Sequence, residues 1–543
     1  MNKSAYRHRW LEPPAILLLA LAACGGPDTG GERPSASGPC VSTALVVCTQ
    51  SGKVQGASEG NLRAFRGIPF AAPPVGKLRW RPPQPPASWQ GIRDATLFGN
   101  RCPQVDPSGQ AVGNEDCLTL NVYAVNPAAT TMQPVLVFIH GGGAIAGSAQ
   151  DAPWGVPPPI AEHGVIVVTV QYRLGLLGFL VSPELSAEAD GNSGDYALMD
   201  LVAALHWVHD NIREFGGDPA RVTIDGHSWG SVNVESLLAM PSAAGLFSAA
   251  VMESGVLKGG LIGTSIDDSY RWYADVPAAV GCDTAADLLA CLRALPAETL
   301  VQSVPNSADT GWVNVDPDVL PEDPFLKLQR LGSPVPLLIG SNSEEMAYPY
   351  VFSAPLDADS YAAAIHAQFD PWAAGSGDTI LSLYPAANYT NANYAQTAVE
   401  TDHYYGCNTR NLARAASGDG RPKVWRYLFT HRYENPAPQD QSITDARAFH
   451  GAETFFVTGN FQSLWTSVPY TPSSAETALA NEMMDYWARF AATGDPNGSG
   501  AQQWLAYDAS DNIQQLDDNI TTLTGGYENA QCDFLDTMPL RFF

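Results

Sequence analysis

Short, almost wholly apolar runs recur along the chain between stretches of helical period. Val135-Leu-Val-Phe-Ile139 and Val165-Ile-Val-Val-Thr-Val170 lack the alternation of a strand with one wet face, so they predict central strands covered on both sides. Val222 to Ile224, Ala249 to Met252, Val335 to Ile339 and Lys423 to Phe429 read as further strands. Leu198, Leu201, Val202, Leu205 and Val208 fall at helical spacing, which predicts a helix from Tyr196 to Ile212. Ser231 to Ala239, Tyr361 to Phe369, Thr477 to Ala492 and the Trp272 to Leu295 region also read as helical. Strands alternating with helices imply an α/β architecture, a mostly parallel sheet flanked by helices with a helical cap region around it.

The chain has 543 residues, 45% hydrophobic and 16% charged, enough to bury a large core and, by length alone, to form several domains. Only one linker is visible. Gly25 to Pro39 is Gly, Pro, Ser and Asp with hardly any large apolar group, the composition of a flexible tether. Before it, Lys3, Arg7 and Arg9 precede a short apolar stretch, Ala15 to Ala23, too short to span a bilayer and suited to an export signal. Leu21-Ala22-Ala23-Cys24 resembles a bacterial lipobox, whose cysteine is acylated. The expected organisation is a signal peptide at 1–23, an acylated Cys24 and tether at 24–39, and one domain at 40–543. The exported product would then be a lipid-anchored protein of the bacterial cell envelope, or a secreted one. A net charge of -27 argues against nucleic acid and anionic membrane surfaces as partners, leaving a membrane only through the anchor.

Nine cysteines leave eight once Cys24 is set aside. Many pairings are open, but proximity along the chain suggests Cys40 with Cys48, Cys102 with Cys117, Cys282 with Cys291 and the distant Cys407 with Cys532. Neither a Cys-x-x-Cys nor a His/Cys spacing suited to zinc occurs, so no metal is expected.

The strongest chemical signal is Arg221-Val-Thr-Ile224, then Asp225 and Gly226-His227-Ser228-Trp229-Gly230, then a helical run. Glycines on both sides of Ser228 permit a tight strand-to-helix turn that lifts the hydroxyl to the top of a sheet.

Several other stretches join it in order: Phe65-Arg-Gly-Ile-Pro-Phe-Ala-Ala-Pro-Pro-Val-Gly76, Glu115-Asp-Cys-Leu-Thr-Leu-Asn-Val-Tyr123, His140-Gly141-Gly142-Gly143, Tyr172-Arg-Leu-Gly-Leu-Leu-Gly-Phe179 and Phe215-Gly-Gly-Asp-Pro-Ala-Arg-Val-Thr-Ile224. From Glu59 to about Asn497 the chain thereby resembles the type-B carboxylesterases, the family that includes cholinesterases and bacterial carboxylesterases. The resemblance implies an α/β-hydrolase fold and a serine esterase acting on a small-molecule ester without metal or organic cofactor. Ser228 would be the nucleophile, with backbone N–H groups of Gly142, Gly143 and Trp229 as the oxyanion hole. Gly340-Ser-Asn342-Ser-Glu344-Glu345 stands where the family carries its acid, so Glu345 takes that role and Glu344 replaces the usual Asp. Ala448-Phe449-His450-Gly451 matches the family's His-Gly segment, making His450 the base; His163, His403 and His431 lack such a context. Three of the bridges, Cys102/Cys117, Cys282/Cys291 and Cys407/Cys532, match the family's. Ser254 is either a hydroxyl near the acid or a plain strand-end serine.

Departures from the family bear on the substrate. His227 stands where a Glu is usual, Trp229 where an Ala is usual, and the Cys102 to Cys117 loop has no aromatic residue, whereas cholinesterases carry a choline-binding Trp there. Uncharged esters are therefore expected and choline esters are not. Two other readings stand beside this one: an interfacial lipase or polyester hydrolase, and a non-catalytic binding module of the same fold.

Overall fold

The computed structural model describes residues 42–125, 130–189, 191–256, 264–303, 313–347, 356–418, 420–435, 447–461 and 470–538. The expected signal peptide, Cys24, the tether and Cys40 lie outside them.

Among the described residues the central sheet is built from β1 (Ala57–Glu59), β2 (Leu62–Pro69), β3 (Thr119–Val125), β4 (Gln133–Ile139), β5 (Ile166–Val170), β6 (Gly217–His227), β7 (Ala249–Glu253), β8 (Leu337–Asn342), β9 (Val424–Phe429), β10 (Ile513–Leu516) and β11 (Thr521–Leu523). Across the sheet the order is β11-β10-β9-β8-β7-β6-β4-β5-β3-β2-β1. Neighbours from β10 to β5 all pair in parallel, while β3, β2 and β1 at one edge and β11 at the other are antiparallel. The fold is the expected α/β architecture with a mostly parallel sheet.

The apolar runs become central strands because both faces are covered. Along β4, Val135, Val137 and Ile139 enter the core beneath α1 (Tyr196–Phe215) and α2 (Trp229–Ala239). Leu136 and Phe138 enter a second core with Phe456, Met483 and Trp487, contributed by helices Ala452–Thr458 and Ser474–Thr493. A side-chain period of two then demands apolar residues at every position. Ser474–Thr493 is fixed at its start by a capping box between Ser473 and Glu476, in which each side chain satisfies the other's backbone N–H.

Two expectations need correction. The Trp272 to Leu295 region is three short helices, Ile266–Trp272, Val276–Ala279 and Leu288–Ala294: Pro277 opens the second, where a residue without N–H fits, and Gly281 at φ 72 ends it. The strand before the elbow is Gly217–His227 rather than Val222–Ile224, with an irregularity between Gly217 and Val222. The disulfides Cys102–Cys117, Cys282–Cys291 and Cys407–Cys532 are formed, and Cys48 is disulfide-bonded. No helix among the described residues is long and apolar enough to cross a membrane.

Candidate active site

Parallel strands deliver their C-terminal ends to one edge of the sheet, and the sequence-predicted residues collect there. Ser228 follows β6 directly and caps α2 at φ 59, ψ -124. That conformation is strained for a residue with a side chain. The flanking residues must be glycine: a β-carbon at Gly226 would lie 2.2 Å from the Gly230 carbonyl oxygen, and one at Gly230 would lie 2.0 Å from that of Ile139. Ser228 N–H donates to the Glu253 carbonyl at 2.9 Å, and the Ser228 carbonyl accepts from Ser231 and Val232 in the first turn of α2. Backbone bonds on both sides thus hold the turn, in which Ser228 is partly exposed.

The loop after β4 lies against this turn. A β-carbon at Gly141 would stand 2.8 Å from Ser228 Cβ. Gly142 has φ 103, and a β-carbon there would meet the Ala146 carbonyl oxygen at 2.2 Å. Gly142 and Gly143 are exposed, and their N–H groups have no acceptor among the described residues. His140 braces the loop. Its ring stacks on Tyr172 with centroids 4.4 Å apart, its Nδ1 is 2.9 Å from the Gly141 carbonyl oxygen, and Tyr172 donates to the His140 carbonyl at 2.7 Å. Burial lowers the His140 pKa to about 4, so the neutral ring donates through Nδ1–H. The Trp229 indole packs against the main core, and its backbone N–H stands at the start of α2, directly after Ser228.

Glu345 follows β8 and is 1% exposed. Its Oε1 accepts from the Asn342 N–H at 2.6 Å and its Oε2 lies 2.8 Å from His450 Nδ1. His450 N–H donates back to the Glu345 carbonyl at 3.0 Å, so backbone and side chain both link the two residues. Burial disfavours the imidazolium, but the hydrogen bond and charge of Glu345, with the charge of Glu453, outweigh it and raise the His450 pKa above the ordinary imidazole value. No hydrogen bond joins Ser228 Oγ to His450 in this structure; such bonds often tighten only when substrate is bound. His450 is nonetheless in ring contact with His227, the residue before the serine, at 4.6 Å between centroids.

Glu344, the neighbouring carboxylate, points elsewhere: it pairs with Arg432 at 3.0 Å and with Arg447. Its role is that of an ion-pair partner. Ser254 donates to Glu453 Oε1 at 2.7 Å, so its partner is that carboxyl and not Glu345. His163 pairs with Asp485, His403 packs on Phe369, and His431 sits in a separate ion-pair cluster.

Three neighbours of His450 carry no role in the sequence reading. Glu453, buried on helix Ala452–Thr458, is pushed up to about 7 by burial and then by the Glu345 charge. Its signal was a lone carboxylate in the run Ala-Glu-Thr-Phe-Phe-Val after His450. Asn342 donates through Nδ2 to Phe449 O at 2.7 Å and to Glu453, tying the end of β8 to the His450 segment. Tyr405 lies 5.0 Å from the His450 ring on a π-helical turn, Asp402–Gly406, a backbone feature that side-chain periodicity does not announce.

A strained serine at a strand-to-helix turn, an imidazole held by a buried carboxylate and free glycine N–H groups beside them compose the chemistry of acyl transfer. The model of the carboxylesterase family matches residues 43–535.

The chain belongs to the carboxylesterase family.

It is a carboxylic ester hydrolase of the type-B group. The chain is 33% identical to the fumonisin B1 esterase of Sphingopyxis macrogoltabida, over 88% of this chain and 87% of that one. It is 32% identical to the para-nitrobenzyl esterase of Bacillus subtilis (strain 168), over 86% of this chain and 93% of that one. A solved PNB esterase structure superposes with a TM-score of 0.74 at 31% identity, covering 91% of this carboxylesterase and all of the solved chain, 100%.

Proposed function

We propose that this esterase works through an acyl-enzyme on Ser228. His450 takes the serine proton as Ser228 attacks the ester carbonyl and then protonates the leaving alcohol; Glu345 holds the imidazole in the tautomer with its proton on Nδ1. The N–H groups of Gly142, Gly143 and Trp229 receive the oxyanion, each worth about 3 kcal/mol of transition-state stabilisation. Water then releases the acid by the same steps in reverse order. The observation that carries this reading is the 2.8 Å contact between buried Glu345 and His450 beside a serine held at φ 59.

A fluorophosphonate probe followed by peptide mapping tests it. Label is expected on Ser228, and Ser228→Ala abolishes both labelling and turnover; label on another residue with turnover intact overturns the assignment.

Uncharged esters are the proposed substrates, because His227 places no fixed anion beside the serine to hold a cationic group. Equal kcat/KM on an acylcholine and a neutral ester of the same acyl chain would contradict this. A substrate survey that includes fumonisin B1, a para-nitrobenzyl ester and a pyrethroid, after the names of relatives, reads the acyl preference. The proposed location is the cell envelope, anchored through an acylated Cys24, on the strength of the basic-apolar-cysteine leader. Incorporation of labelled palmitate in the producing bacterium, lost in Cys24→Ala, is the expected result.

A further inference from the structure

His227 is the last residue of β6, and its side chain is 15% exposed. Two groups bound it. The His450 ring lies 4.6 Å away, tilted by 41°, and Glu453 Oε1 lies 3.9 Å from His227 Nε2. That nitrogen is buried without a hydrogen-bond partner. Backbone also closes in: a β-carbon on Gly451, the residue after His450, would stand 3.3 Å from His227 Cε1. The imidazole therefore occupies a fitted space, and an apolar ring would fill it without stranding a buried nitrogen.

We propose that His227 is a positioning residue for ester hydrolysis, wedged between the His450 ring and the Glu453 carboxyl so that His450 stays on Glu345 and within reach of Ser228. The proposal rests on the reading of His450 as the base.

Its physical basis is a competition between two carboxyls for one imidazole. Glu345 bonds His450 directly, while the charge of Glu453 also acts on it. Glu453 is itself steadied by Ser254 and Asn342, but nothing in those bonds stops His450 from turning toward it. His227 fills the space on that side.

Its charge state suits the task. The titratable groups around it are His450 and Glu453 from the segment leading into and through helix Ala452–Thr458, Glu253 opposite it on β7, Asp225 on its own strand, Glu345 beyond β8 and Tyr405 on the π-helical turn. Burial, and then the neighbouring His450, hold the His227 pKa well below the ordinary imidazole value. Burial and then the Glu453 charge raise Asp225, and burial with the charges of Asp225 and Glu453 raises Glu253, far above the ordinary carboxylate range. When His450 takes up the serine proton, His227 stays neutral, since two imidazolium rings in contact repel.

Kinetics of His227→Ala, His227→Gln and His227→Asn, with active sites counted by phosphonate titration, test the proposal. For His227→Ala kcat is expected to fall about tenfold to a hundredfold, as slight misplacement of a catalytic group does, with KM within about threefold. His227→Gln, which refills the space, is expected to recover most of that loss. His227→Asn, which leaves part of the space empty and adds no charge, is expected to fall between the two. Wild-type kcat in His227→Ala, or a loss that His227→Gln does not recover, overturns the proposal; if His227→Ala does not fold, wild-type kcat in His227→Asn overturns it. His450→Ala separates this outcome from failure of the underlying reading. If that variant keeps its turnover, His450 is not the base; if it is dead while the His227 variants match wild type, only the role of His227 falls.

Discussion

Glu344 and Glu345 are chain neighbours with opposite surroundings, and their difference is chemical as well as structural. Glu345 is buried against His450, whereas Glu344 binds Arg432 and the largely buried Arg447. Arg447 in turn lies 3.5 Å above the Tyr394 ring. Glu345→Gln keeps the shape of the side chain but presents either a weaker acceptor or a donor to Nδ1, which releases the required tautomer. A fall in kcat of about three to four orders of magnitude with little change in KM is expected. Glu344→Gln leaves turnover within about twofold but removes the ion pairs to Arg432 and Arg447, lowering stability by about 1 kcal/mol. Steady-state kinetics and denaturant unfolding of the two variants read these effects, and the opposite pattern would exchange the roles. The motif spacing located this pair in the sequence; which carboxylate meets His450 depends on the turn after β8, which spacing alone does not describe.

At the scale of elements, apolar runs were legible wherever an element is buried on both faces, as in β4 and β5. A polar member can hide a strand, although β9 was read despite Arg426. β3 carries Asn121 inside its apolar run, acceptable only because Asn121 accepts from the Gly67 N–H at 3.0 Å and donates to Thr169 Oγ1 at 2.9 Å, partners that no local pattern reveals. The same holds for His431, which follows β9 and joins three elements. Its Nε2 is 3.3 Å from Glu476 in the capping box, and its Nδ1 is 3.0 Å from Asp518 and 3.6 Å from Asp517 in the β10–β11 turn. Burial opposes its charge, but the Asp517 and Glu476 hydrogen bonds prevail and raise the pKa to about 9. A raised imidazole pKa stabilises the fold fully below the unfolded value near 6.5, and that contribution is lost as pH rises through about 9. The gain is on the order of 3 kcal/mol as an upper bound. Thermal unfolding from pH 6 to pH 10 is expected to show this decline in the wild type and to lose it in His431→Asn; parallel curves would exclude His431 as its source.

Across the whole molecule, the site is assembled from segments hundreds of residues apart, each delivered by the end of a parallel strand or the start of a helix. The motif order was therefore readable from the chain, because each motif is local. The contacts among Asn342, Glu453, His227 and Tyr405 were not, because they exist only between segments. One long-range tie was readable from cysteine count and order: Cys407–Cys532 spans 125 residues. It joins helix Cys407–Ala416 to helix Asn529–Leu535 at the C-terminal end of the described chain. Cys407 follows immediately on the π-helical turn whose Tyr405 touches His450, so loosening this bridge acts on the site as well as on the fold. Closing so long a loop removes roughly 5 kcal/mol of unfolded-chain entropy, against about 3 kcal/mol or less for the nine-residue separation of Cys282–Cys291. The double variant Cys407→Ser with Cys532→Ser is expected to melt well below the double variant Cys282→Ser with Cys291→Ser. Its turnover should also fail at temperatures where far-UV circular dichroism is still native, because the π-helical turn loosens first. Equal melting temperatures for the two variants would show that the longer bridge adds no extra stability, and turnover that tracks global unfolding in both would show that it does not act on the setting of His450.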